Sequence, residues 1–405
     1  MVAIANKTYN VGGVLLERPF KVRRLGHVGF SFTNFEACLR FYHDLLGFRV
    51  SDTIDWGKRA PEKVAGLGDA NTYFTRYAGD HHSFVFGSRA VRDAVRPGAD
   101  PMMNIGQISW QVDTLGEVVN AYHWLKDRGE HINRVGRDMP GSNWHTYFND
   151  HEGHNNELFY GMEQIGWDGV TKSLPMYRDR FAEEMPLPQR SEDQELQDSL
   201  RDGIDIFAGR RDPEAGPAEY DVDGVQLQRP FRVTRIGPIG LFVNDLADAL
   251  AFYTGAMGFT LTETVSIQGQ QAHFLRASDE HHSLALYPTA LKAKLGIIPQ
   301  STCAVMGFQV GSYKQLRNAV EFLKAHEVPV FEAPPAFHTG IDYAAHFLDP
   351  DGHVVRLYHA IERVGWDGQP KPAALRHQTP LSQWPEALAD GPGAYAADIF
   401  QGPLG

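Results

Sequence analysis

Two hydrophobic periods follow one another along this chain in a fixed order. Val22 to Thr33 is rich in branched and aromatic residues and predicts a strand. Asn34-Phe35-Glu36 then opens Ala37-Cys-Leu-Arg-Phe-Tyr-His-Asp-Leu-Leu46, whose apolar residues fall at helical spacing, and Gly47 ends it. Three short β-rich runs follow, near Phe48 to Ile54, Thr72 to Tyr77 and Ser83 to Phe86, separated by Gly, Asp and Asn. The order is β-α-β-β-β. Ile105 to Val112 starts a second unit, with a helix over Leu115 to Leu125 and strands near Ile132 to Val135, His145 to Phe148 and Asn156 to Tyr160. The second half of the chain repeats both units, with helices near Ala247 to Thr254 and Tyr313 to Ala325.

The repetition is legible residue by residue. Tyr9-Asn-Val-Gly-Gly-Val-Leu-Leu-Glu-Arg-Pro-Phe20 returns as Tyr220-Asp-Val-Asp-Gly-Val-Gln-Leu-Gln-Arg-Pro-Phe231, a period of about 200 residues. His81-His82-Ser83 meets His281-His282-Ser283, and Gly153-His-Asn-Asn-Glu-Leu158 meets Gly352-His-Val-Val-Arg-Leu357. Gly-Trp-Asp-Gly stands at 166–169 and again at 365–368, so it reads as structural. The chain divides into 1–170, an extension 171–219, a second domain 220–368 and a terminal extension 369–405. Each extension ends in Asp-Ile-Phe, at Asp205 to Phe207 and Asp398 to Phe400, and the first predicts a helix over Glu192 to Arg201. Both are assigned to packing or oligomer contacts, and a homo-oligomer is expected.

Composition narrows the partners. A formal charge of −12 over 405 residues, with no Lys/Arg-rich block, argues against nucleic acid or an anionic membrane as partner. Small-molecule chemistry is the expectation. Cys38 and Cys303 are the two cysteines, too few for a disulfide framework or a cysteine-based zinc site, which predicts a reducing cytoplasm. Met1-Val-Ala-Ile-Ala-Asn-Lys lacks the pattern of an export signal, and no apolar run is long enough to span a membrane.

Where the copies disagree, chemistry is expected. His27 lies within an opening strand and becomes Pro238; Glu157 lies in a closing strand and becomes Arg356. A divalent metal needs convergent lone pairs, which imidazole and carboxylate supply and which proline and a protonated guanidinium cannot. The acidic run Asn149-Asp150-His151-Glu152-Gly153 corresponds to Asp349-Pro-Asp-Gly352 and reads as a tight turn.

Gly26-His-Val-Gly-Phe30, Phe41-Tyr-His-Asp-Leu-Leu-Gly-Phe48, Asp80-His-His-Ser83 and Asp150-His-Glu-Gly-His-Asn-Asn-Glu157, in that order and recurring, resemble the vicinal oxygen chelate superfamily of glyoxalase I, methylmalonyl-CoA epimerase and extradiol catechol dioxygenases. The resemblance covers roughly 22–160 and 233–360. It implies an α+β fold in which four tandem βαβββ modules pair into two cup-shaped mixed β-sheet domains. Within the superfamily the chain is most similar to extradiol ring-cleaving dioxygenases. That similarity implies His27 and Glu157 as metal ligands, His82 as acid-base residue, and Tyr147, ten positions before Glu157, as a substrate contact. Family members carry a second metal histidine where this chain has Gln107, an oxygen donor suited also to Mn²⁺ or another divalent ion. A further family histidine falls near Asp138, with His145 a neighbouring candidate. Phe30, Trp110, Trp144 and Phe159 are expected as pocket walls.

The reading that follows is an Fe(II) enzyme cleaving a catechol-like or hydroxylated aromatic substrate with O₂, with aromatic catabolism as its setting. Two others stay open. A glyoxalase- or epimerase-like lyase or isomerase keeps the metal and discards O₂, although its usual fourth ligand is missing around Ser83. A non-catalytic protein binding an aromatic ligand needs no metal. The bland alternatives are also specific: His82 recurs as His282, as a structural hydrogen bond would require, and Gln107 or Tyr147 could be ordinary strand residues.

Overall fold

The computed structural model describes residues 7–388 apart from 99, 167–168, 183, 212–216, 299, 366 and 377–378. The second Asp-Ile-Phe and the tryptophans of both Gly-Trp-Asp-Gly motifs lie outside the described residues.

Each half opens with a small hairpin, β1 (Tyr9–Val11) and β2 (Val14–Leu16) in the first. Then come β3 (Arg24–Phe32), β4 (Arg49–Asp55), β5 (Asn71–Arg76) and β6 (Phe84–Ser88), followed by β7 (Ile105–Gln111), β8 (Ile132–Gly136), β9 (Trp144–Asn149) and β10 (Asn155–Tyr160). These last eight form one mixed sheet in the order β4-β5-β6-β3-β7-β10-β9-β8. The opening strands of the two units, β3 and β7, lie side by side at its centre. Apolar residues of the helices pack on the convex face: Phe35, Cys38, Phe41 and Tyr42 from the first unit, and Leu115, Val118, Val119 and Leu125 from the helix Leu115–Asp127. Thr114 caps the latter helix by accepting a hydrogen bond from the Glu117 amide at 3.1 Å.

The second half supplies the hairpin β11 (Tyr220–Val222) and β12 (Val225–Leu227), then β13 (Val233–Val243), β14 (Thr260–Ile267), β15 (Gln270–Arg276), β16 (Leu284–Pro288), β17 (Cys303–Val310), β18 (Ala344–Leu348) and β19 (Val354–Tyr358). Its sheet, β14-β15-β16-β13-β17-β19-β18, has the same topology with one strand fewer. Where the first half has β8, the second has a single bridge from Val330 to Phe347. Pro329, Pro334 and Pro335 flank that bridge and remove amide donors that a full edge strand would use. The fourth module is therefore an abbreviated βαβββ unit.

The halves meet through equivalent contacts. Tyr42 donates a buried hydrogen bond to Asp349 of the opposite half at 2.9 Å, and Tyr253 donates to Asp150 at 2.8 Å. Each aspartate also holds its own turn: Asp150 Oδ1 accepts from the Glu152 and His154 amides at 3.0 and 2.7 Å, and Gly153 takes a φ of 90°. The run Asn149 to Gly153 is thus a turn that doubles as a clamp between halves. Cys38 and Cys303 are buried free thiols, and no helix among the described residues is long and apolar enough to cross a membrane.

Candidate functional site

Strand register brings distant residues into one line across the concave face of the first sheet. His27 on β3 pairs with Ser109 on β7, Ser109 with Glu157 on β10, Glu157 with Tyr147 on β9, and Tyr147 with Arg134 on β8. Gln107, two residues before Ser109, shares its face because side chains alternate along a strand. His27 and Glu157 are fully buried, and His27 Nε2 lies 2.8 Å from Glu157 Oε2. The contact is off the line that a hydrogen bond requires, so neither ring nitrogen of His27 has a hydrogen-bond partner. The carboxylate is fixed from other sides: Asn143 Nδ2 donates to Oε1 at 2.8 Å, and Ser109 Oγ donates to Oε2. Gln107 Nε2 is 3.5 Å from Oε2 of the same carboxylate, and Tyr147 Oη is 3.4 Å from Gln107 Oε1.

Burial alone would raise the Glu157 carboxyl, but the adjacent His27, then His145 and Ser109, hold it down at about 2, so it stays ionised. Burial, followed by the neighbouring His27 and His81, keeps His82 well below the usual imidazole range. His82 is therefore neutral. Its ring lies 4.4 Å from that of His27, and its Nδ1 is 3.0 Å from Nδ1 of His81, so one proton serves the two facing nitrogens. Tyr147 stays protonated because burial and then the Glu157 charge raise its phenol.

A cavity of about 120 Å³ opens above this line. His82, Gln107, His145 and Tyr147 line it, and Phe30, Ile54, Phe74 and Val85 supply apolar wall. Four expected contacts lie elsewhere. Trp110 follows Ser109 by one residue and so faces the opposite side, where its ring meets Phe259 of the second half at 4.8 Å and its Nε1 donates to Asn156 at 2.9 Å. Phe159 shares the face of Glu157 but packs beneath the site, its ring 4.7 Å from that of His27 and closed over Gly26. Asp138 stands behind His145, 3.5 Å from its Nε2, and does not reach the cavity. Trp144, likewise, packs on Phe181 in the core. Ser109 escaped the sequence reading although alternation from Gln107 points to it. Asn143 lies in a loop beside Ser142, whose φ is 50°, and no periodicity could have found it.

The donor set suits a divalent ion. Two ligands at right angles on an ion at about 2.1 Å sit about 3 Å apart, close to the His27–Glu157 separation. Among the described residues no three His, Cys, Asp or Glu side chains gather as a metal centre, so a third protein donor must be of another type. Gln107 stands close enough to be one: its amide is 3.5 Å from the Glu157 carboxylate, and a half-turn exchanges nitrogen for oxygen on that side. In the second cup, register places Arg356 opposite Gly307 and His346. The Arg356 guanidinium is fully buried, donating to His346 Nε2 at 3.0 Å and to the Phe337 carbonyl at 2.7 Å. That position offers cationic donors and no lone pair.

Fold and site together define a duplicated protein whose first cup brings His27, Gln107 and Glu157 together and whose second places Arg356 at the position of Glu157. The family model of the Glyoxalase/Bleomycin resistance protein/Dioxygenase superfamily matches residues 24–158 and 235–357, and the chain belongs to that superfamily. It is 42% identical over 65 residues to an iron-dependent extradiol dioxygenase of Rhodococcus jostii (strain RHA1), a stretch covering 15% of this chain and 21% of that protein. It is 37% identical over 84 residues to 3-methylcatechol 2,3-dioxygenase of Pseudomonas putida F1, covering 18% of this chain and 26% of that one. The aligned stretches thus span less than a third of either relative. Among solved structures, a Mn(II)-bound glyoxalase from Novosphingobium aromaticivorans superposes with a TM-score of 0.54 at 16% identity, covering 88% of this chain and 90% of that one. Homoprotocatechuate 2,3-dioxygenase from Arthrobacter globiformis gives 0.54 at 17%, covering 86% and 83%. These two likenesses speak to the fold.

Proposed function

We propose that the first cup is the active centre of a non-haem, Fe(II)-dependent extradiol-type dioxygenase that cleaves a catechol-like or hydroxylated aromatic ring with O₂, Mn(II) being the other ion its donors suit. The observation that carries this reading is the buried His27–Glu157 pair, 2.8 Å apart and outside hydrogen-bond geometry, directly behind His82, Gln107 and Asn143, which line the cavity. His27, Glu157 and Gln107 would hold the ion. When bound, it acidifies a coordinated substrate hydroxyl.

The chain's own groups do the rest. His82, neutral and anchored through His81, accepts the proton that such a hydroxyl releases and returns it later. Tyr147 keeps its proton and donates a hydrogen bond to oxygen in the cavity. His145 reaches the same space while Asp138 holds it from behind. Ser109 and Asn143 fix the orientation of the Glu157 carboxylate. Phe30, Ile54, Phe74 and Val85 keep water from the ring. The proposal extends to a homo-oligomer acting on a small aromatic substrate, with neither nucleic acid nor membrane as partner, and to a cytoplasmic setting.

One observation favours the glyoxalase- or epimerase-like alternative: Gln107 contributes an oxygen donor where a ring-cleaving relative would have imidazole. Against it, β6 contributes Val85, Phe86, Gly87 and Ser88 to the cavity lining, so that strand supplies no carboxylate or carboxamide as a fourth donor. An oxygen electrode separates the readings. Catechols and hydroquinones should drive O₂ uptake by the iron-loaded protein; a metal-loaded protein that consumes none with any diol would move the assignment to the isomerase.

A further inference from the structure

The cavity is polar at its floor, apolar along its walls and basic at its lip. Arg92, Arg96 and Arg134 all border it. Two of these charges are already met. Arg92 Nε donates to Asp93 at 2.8 Å and its Nη1 to the Met103 carbonyl, while Arg134 lies 3.7 Å from Asp138. Asp138 is further shared with Arg180, at 3.3 Å, and His145, at 3.5 Å. Arg96 caps the end of the helix Arg89–Val95 on the exposed lip, and no carboxylate among the described residues pairs with it. Its charged neighbours are cations: after burial, the charge of Arg134 is the largest influence lowering its pKa. A guanidinium so placed gains from an incoming anion both charge neutralisation and paired hydrogen bonds.

Resting on the dioxygenase reading above, we propose that the substrate is an acidic aromatic diol: its hydroxyls at the His82, Gln107 and Tyr147 end of the cavity, next to the His27–Glu157 pair, its ring against Phe30, Phe74 and Val85, and a side-chain carboxylate at the lip on Arg96, with Arg134 beside it. One unmatched positive charge calls for one negative charge, and a carboxylate supplies it. Neutral catechols then fill the apolar part of the cavity and leave Arg96 in water. The lip selects the substrate while the floor performs the chemistry.

Trp56 lines the cavity and reports occupancy through its fluorescence. Three probes are titrated into the full-length metal-loaded protein without oxygen: a catechol with a propionate side chain, the same catechol with an ethyl group, and phenylpropionate. The propionate catechol should bind roughly 10- to 100-fold more tightly than the ethyl catechol, the range expected for a hydrogen bond to a charged group. Arg96→Gln should bring that ratio close to one, and Arg96→Lys should restore part of it. Equal affinities in the unmodified protein, no binding of either catechol, or a ratio surviving Arg96→Gln, overturn the proposal. If the ethyl catechol is consumed with O₂ while no preference exists, the anionic subsite fails and the dioxygenase reading stands. If Arg96-dependent binding of the propionates is found while no diol is consumed, the subsite stands and ring cleavage fails.

Discussion

Gly141 leaves room for His82: a Cβ at position 141 would lie 2.7 Å from His82 Cε1, and the glycine's φ of 102° is one that L side chains rarely adopt. Gly141→Ala should therefore displace the imidazole from the cavity. We expect turnover to fall about 100-fold or more, in the range associated with a lost acid-base group. Metal content, measured on the same preparation, should not change. Loss of both together would place Gly141 in support of the whole site, not of His82.

Gln107 stands where the resemblance to ring-cleaving dioxygenases implies a histidine. Imidazole binds Fe²⁺ more strongly than a neutral amide oxygen does. Gln107→His should slow the loss of iron to a chelator, by about tenfold or more on the scale of ligand-shell substitutions. Gln107→Ala should speed it. If all three proteins release metal at one rate, Gln107 is not a ligand.

Glu163 sits at the back of the His81–His82 pair, its carbonyl accepting from the His81 amide at 2.8 Å and its Oε1 accepting from the Lys172 amide at 2.5 Å. Burial pushes its carboxyl up to about 7. The folded state thus keeps a proton that the unfolded chain releases above its ordinary value near 4.5, so stability falls as pH rises from about 4.5 to about 7 and then levels. Glu163→Gln should remove this dependence and gain up to about 3 kcal/mol relative to the parent above pH 7. Urea unfolding of both proteins at pH 5 and pH 8 checks it; parallel pH dependence in the two would contradict it.

Tyr253 and Tyr42 hold the halves together through buried aspartates. Burial opposes ionisation of Asp150, but His154 and the Tyr253 hydroxyl hold its carboxyl below the usual range. That stabilisation is present above the unfolded value and is lost as pH falls through the lower folded one. Tyr253→Phe should cost about 1.5–3 kcal/mol at neutral pH, as expected for a hydrogen bond to a charged group, and the cost should shrink in acid. Thermal unfolding followed across that range measures both.

The β-α-β-β-β order was legible because the apolar period switches cleanly between strands and helices, as at Gly47 and again after Val112. His27 and Glu157 were legible because their counterparts, Pro238 and Arg356, cannot do the same chemistry. What stayed hidden follows from geometry that no period encodes. Trp110 was misread as a pocket wall because a strand's two faces look alike until one of them is known to be the core. Asn143 reaches Glu157 from a loop, and Arg96 reaches the lip from the position that caps a seven-residue helix. Arg134 reaches the cavity through the register of β8 with Tyr147, which only the folded sheet defines.

The most direct test of a single centre in the first cup is metal content per chain, measured after anaerobic purification of the parent, Glu157→Ala and Arg356→Ala. The buried His27–Glu157 pair and the guanidinium in the second cup predict one equivalent in the parent, none in Glu157→Ala and one in Arg356→Ala. Full occupancy in Glu157→Ala, or its loss in Arg356→Ala alone, would show that the metal is bound elsewhere.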